Sequence, residues 1–216
     1  MNFPFGKEQF LDVFKIYNNS VFPAQIIFYL IAILVIFLTI KKNKYTDTVI
    51  TIIFAFFWLW MGVVYHILFF SVINKAAYFF GIIFIIQSLL FIYFGLYKKS
   101  LSFRYRHSLL GYAGIILILY ALVIYPAIGY LAGHVYPANP TFSLPCPTTI
   151  FTFGILLWTD KQFPLTLIII PVIWSIIGFF AAVNLGVYED IGLLAAGVIF
   201  VVLFFAEKKT DYPVNL

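Results

Sequence analysis

The sequence is poor in chemistry. It holds one cysteine, three histidines, and only 10% Asp, Glu, Lys and Arg among 216 residues. A lone Cys146 excludes an internal disulfide and every multi-cysteine metal motif, leaving a free thiol as the only cysteine chemistry. There is no histidine box, no G-x-S-x-G, no phosphate-binding glycine loop and no arginine-rich helix for voltage sensing. Nor is there a paired carboxylate inside an apolar run: every Asp and Glu is expected in a loop, a tail or a surface helix. Coupling to protons through a buried acid is therefore disfavoured, and His66 is left as the residue able to carry a proton. No cofactor is implied.

What the chain has instead is apolar surface. Hydrophobic residues make up 64% of it, and the mean hydropathy is +1.06, values that a soluble domain of this length could not carry. The class is an all-α polytopic membrane bundle. A net charge of +5 would suggest nucleic acid in a soluble protein, but here Lys and Arg sit in short loops between apolar runs. They report topology, and no nucleic-acid partner is expected. The first twenty residues lack a signal-peptide core, and the first apolar run is followed by Lys41, Lys42 and Lys44. That run is expected to be a retained helix.

Ahead of it, Phe10, Val13, Phe14 and Tyr17 recur at helical spacing, with Lys7, Glu8, Asp12 and Lys15 opposite. Residues 1–19 therefore read as an amphipathic surface helix, lying on the membrane or capping the bundle. Long apolar runs follow at Val21–Ile40, Thr48–Phe70, Ala76–Tyr97, Leu109–Tyr130, Leu165–Leu185 and Ile191–Phe205. The last is short and needs its flanks or a thin bilayer to cross. A further run, Thr148–Trp158, would rise only about 16 Å as helix, against a hydrocarbon core of about 30 Å.

Charge decides how that short run is threaded. If it crosses, ten Lys/Arg fall on one side and three on the other; if it re-enters, the split is seven to six. The positive-inside rule favours seven crossings, the fifth short and broken, with the N-terminus outside and the C-terminus cytoplasmic. The expected layout is a seven-span bundle over residues 20–206 and a short cytoplasmic tail over 207–216. Extended, proline-broken backbone before the short run, PANPTFSLPCP, is tolerated at membrane depth only where protein shelters it.

Within PCPTT, Cys146 is expected near the N-cap and Pro147 at the first helical position, with Thr148 and Thr149 in the first turn. Such an end inside a bundle can face an anionic or polar group, or merely mark where prolines stop one segment and start another. His66 lies within the second span and shares a face with Trp58, Gly62, Tyr65 and Phe69. It serves as a ligand or proton carrier, or donates one structural hydrogen bond. Under seven crossings Gln25, His66, His134, Cys146, Asn184, Glu189 and Asp190 all lie toward the outer side. The set His66, His134 and Cys146 is a weak alternative as a zinc or copper(I) site, without fixed ligand spacing. Small-residue stripes at Gly129/Gly133, Ser175/Gly178/Ala182 and Ala195–Gly197 read as helix contacts. Pro126 and Pro171 are expected to kink their helices, and Trp58 and Trp60 to face inward or toward a partner.

The stretches EQFLDVF, VFPAQ, WLWMGVVYHILFF, INKAAYFFG and PCPTTIFTFGILL together resemble a family of small bacterial polytopic membrane proteins known only as a domain of unknown function. The resemblance covers nearly the whole chain. It implies a bacterial inner-membrane location and a place for His66 and PCPTTIF in the family's own pattern, and it brings no activity. Read together, these features favour a lipid-embedded protein that binds or permeates a small solute at an outward-facing cavity. The candidate residues are His66, Cys146, Thr148, Thr149, Gln25 and Asn184. The alternatives are a non-catalytic membrane partner or assembly protein, alone or as a homo-oligomer, and, more weakly, an enzyme or metal-binding protein using Cys146 and His66.

Overall fold

The computed structural model describes residues 4–210 and is all-α, with eight helices among the described residues. They are α1 (Lys7–Val21), α2 (Ala24–Ile40), α3 (Thr46–Val72), α4 (Ala77–Tyr97), α5 (Leu109–Leu131), α6 (Pro145–Leu156), α7 (Thr166–Leu185) and α8 (Ile191–Thr210). Five are long and apolar enough to cross a membrane, or six if α1 and α2, bent by 82°, form one span. Of the expected cytoplasmic tail, residues 211–216 lie outside the described residues, and the backbone before them continues α8.

The bend between α1 and α2 follows from Pro23. A residue ahead of proline is pushed out of the helical region, and Phe22 adopts φ −58°, ψ 134°. With the chain turned aside, α1 lays the expected face of Phe10, Val13, Phe14 and Tyr17 onto the bundle. It is a cap packed on protein.

The short helix α6 lies among α3, α5, α7 and α8, and all of its residues except Cys146 are buried. Leu144 is extended, as a residue before proline must be, and Pro145 takes the first turn. The helix thus starts two residues earlier than the expected Pro147. Close approach to α5 rests on a glycine pair: a side-chain carbon on Gly114 would sit 2.7 Å from the Gly154 carbonyl oxygen. Similar contacts join α3 to α4 through Gly62 and Gly81, and α7 to α8 through Ser175 and Gly197. Gly133 departs from the expected stripe, because it sits in a turn at φ +86° beyond the end of α5.

Neither internal proline breaks its span. Pro171 has no N–H for the carbonyl four residues back, and the side-chain amide of Gln87 donates to that carbonyl, Leu167 O, at 2.8 Å. Before Pro126 the helix loosens into a π-helical stretch, Tyr120–Ile124. A buried donor on one helix and a looser turn on the other accommodate the two prolines within continuous helices.

Loops gather at two ends. At the basic end, Arg104 N–H donates to Trp158 O at 2.7 Å, and Asp160 N–H donates to Ser102 O at 2.9 Å. Lys42 lies 3.2 Å from Asp47 and 3.7 Å from Asp160. At the capped end, Tyr17 donates to Ser143 O at 3.0 Å and accepts from the Trp60 indole at 2.9 Å. The loop before α6 is thus tied to α1, and the loop after it to residues 42 and 102–104.

Candidate functional site

Beneath α1 lies a cavity of about 430 Å³, within the size range of small-molecule sites. Phe5, Phe10 and Phe14 roof it, Tyr65, Phe70, Phe80 and Trp174 form the walls, and Asn74, Tyr125, Cys146 and Asp190 supply polar groups. Pro4, Ala76 and Phe180 stand exposed at its rim. Cys146 is the one α6 residue not fully buried because it opens onto this space. The lining is mostly apolar and rich in aromatic rings, so the cavity suits an apolar body with one polar end.

Its polar floor comes from the head of α8. Glu189 and Asp190 form a 3-10 turn just before that helix and are 0% and 4% exposed. Glu189 Oε1 lies 2.8 Å from His134 Nδ1, and the Glu189 carbonyl accepts from Tyr120 at 2.8 Å. Asp190 accepts hydrogen bonds from the Tyr125 hydroxyl and the Cys146 thiol. Left over are Glu189 Oε2 and His134 Nε2, both buried without a partner, while the Trp174 indole N–H faces the Cys146 sulfur.

This corrects the expectation that every acid sits in a loop, tail or surface helix. Two adjacent carboxylates are buried at the head of the last span. A signal was present: the apolar run from Ile191 is too short to cross alone, so the span had to draw in the residues ahead of it.

The predicted site residues separate. Cys146 lines the cavity, but His66 does not: it is 0% exposed, with both ring nitrogens unpartnered. Its ring packs 5.1 Å from Trp174 and 4.7 Å from Phe84, centroid to centroid, just behind the cavity wall. It lies in a π-helical stretch, Met61–Phe69, a feature frequent at functional sites. Thr148 turns its hydroxyl to Phe142 O at 2.9 Å, fixing the start of α6, and Thr149 is buried with its hydroxyl unpartnered. Gln25 donates to Asn18 O at 2.8 Å across the α1–α2 bend. Asn18 in turn grips Pro137 O at 2.7 Å and Asn139 O at 2.8 Å. Asn184 is exposed and bonds its own helix at Phe180 O.

The start of α6 offers little to an anion. Pro145 and Pro147 carry no N–H, and Thr148 N–H is already given to Leu144 O. One donor remains, on Cys146, with the Asp190 carboxylate alongside. For metals, His66, His134 and Cys146 are not brought together, and among the described residues no three His, Cys, Asp or Glu side chains converge.

Over residues 7–212 the sequence matches the family of unknown function DUF6064. The chain belongs to that family. No curated protein and no solved structure matches it. For this DUF6064 chain, therefore, any reading of function rests on the cavity and its floor.

Proposed function

We propose that this polytopic membrane protein binds an amphipathic small molecule in the cavity beneath α1, with the molecule's polar end at Asp190, Cys146 and Tyr125. The observation that carries this is the aromatic-walled space itself, with its few convergent polar groups. A packing or assembly role alone gives no reason for such a space. Catalysis by Cys146 lacks a companion: the prolines on either side leave no pair of N–H groups for a developing oxyanion.

In this reading the chain crosses seven times, with α1 and the cavity at the outer face of a bacterial inner membrane and the basic end in the cytoplasm. What supports seven crossings is the company Asp160 keeps. Residues 158–160 pair with the loops carrying Lys42 and Arg104, whereas a re-entrant fifth segment would return Lys161 to the opposite face.

Cys146, the lone thiol, tests both parts. A membrane-impermeant maleimide is expected to label it in intact cells, and neopentylbenzene, an apolar molecule small enough for the cavity, to slow that labelling. Reaction only after denaturation, or a rate indifferent to neopentylbenzene, would overturn the proposal.

A further inference from the structure

We infer that the cavity selects organic cations, amphipathic amines or quaternary ammonium compounds whose charged head lies between Asp190 and the surrounding rings. The inference rests on the cavity being a small-molecule site and adds the charge of its occupant. Asp190 is buried at 4% exposure, and its two neighbours, the Tyr125 hydroxyl and the Cys146 thiol, are neutral donors. Among the described residues no Lys, Arg or His pairs with it. His134 is taken by Glu189, and Lys7 of the roof is exposed over Gly186, outside the lining.

A buried carboxylate without a cation is costly unless a charge is supplied from outside. Glu189, one residue away, turns one oxygen to His134 and keeps the other unpartnered. The walls have the complementary character: Tyr65, Phe70, Phe80, Tyr125 and Trp174 surround the same space, and aromatic faces attract ammonium groups most strongly when water is excluded. An anion would meet Asp190 as a like charge. A neutral hydrocarbon would leave the carboxylate unmatched.

Two probes of one shape separate charge from fit. Benzyltrimethylammonium and neopentylbenzene differ by a nitrogen cation in place of a carbon. With the full chain in lipid nanodiscs, protection of Cys146 from maleimide reads occupancy of the cavity for each. The cation is expected to protect at a concentration at least about tenfold lower. Asp190→Asn is expected to bring the two within about twofold of each other, each measured against that variant's own unprotected labelling rate. Where that variant fails to fold, Trp174→Leu makes the same comparison through the ring, and the wild-type pair of measurements needs no variant. Protection by neopentylbenzene without a preference for the cation, or a preference that survives Asp190→Asn, overturns the inference and leaves the cavity as a site. Protection by neither overturns both.

Discussion

The two ends of the bundle handle buried charge in opposite ways. At the basic end, Asp47 and Asp160 each face a lysine or arginine, and Lys42 also donates to Ser102 at 2.5 Å, so three loops are sewn to one another. At the capped end, of two acids more deeply buried than these, Glu189 has one histidine and, among the described residues, Asp190 has only the neutral Tyr125 and Cys146 donors beside a cavity. Charge at one end closes the structure, and charge at the other is held in surplus beside an opening. At the capped end polar atoms without a partner accompany the cavity proposed to take a ligand, whereas at the basic end the one Asp160 oxygen left without a partner lies among lysine and arginine side chains.

The strongest way to break this contrast is to remove the histidine that pairs with Glu189. His134→Ala strands Glu189 in a buried site and is expected to cost about 3–5 kcal/mol, read as lost folded yield or a large drop in thermal stability. An unaffected protein would mean that Glu189 is not charged there and that the surplus is smaller than drawn. Next comes the cap. Tyr17→Phe leaves the Ser143 carbonyl and the Trp60 indole unpaired, an expected loss of about 1–3 kcal/mol, together with faster maleimide reaction at Cys146. Should the labelling rate stay fixed, α1 does not control access.

A smaller and opposite effect is expected at His66. With neither ring nitrogen bonded, His66→Leu gives up no hydrogen bond and sheds a desolvated polar group, so stability is expected unchanged or raised by about 1 kcal/mol. Clear destabilisation would show that those nitrogens have a partner in the membrane. The smallest effect lies at the basic end. Burial pushes the Asp160 carboxyl up, but the Ser102 hydroxyl and then Lys42, Arg106 and Arg104 outweigh it and hold the group below its ordinary range. A depressed carboxyl contributes stability above the unfolded value, about 3.9, and loses it as pH falls through the folded one. Wild type is therefore expected to lose slightly more stability than Asp160→Asn on acidification below about pH 4, measured as parallel thermal melts.

Much of the scaffold was legible because membrane helices announce themselves by length. The apolar face of α1, the close approach at Gly62 and the inward Trp58 all follow from spacing alone, and Trp58 is fully buried with its indole donating to Thr152 at 3.3 Å. The site was less legible, since whether a residue lines a space or hides behind its wall depends on the rotation of packed helices. Cys146 and His66 share a neighbour in Trp174, yet only the first reaches the cavity. Glu189 and Asp190 look like loop residues until the shortness of the following run is weighed. Gln87 gave no sign of its task, which exists only because Pro171 on another helix lacks a proton to give.

The docking of α1 also sets an order of events during synthesis. Tyr17 and Asn18 bond to Ser143, Pro137 and Asn139, partners 119 to 126 positions later in the chain. At about 5–20 residues per second of translation, roughly 6–25 s pass between the appearance of one set and the other. Throughout that interval the roof has nothing to close upon, and its aromatic face must rest on lipid headgroups or on the insertion machinery. The lid is made before the helices and loop it seats on, so the cavity it covers is completed only after α2 to α5 and the loop ahead of α6 have followed it.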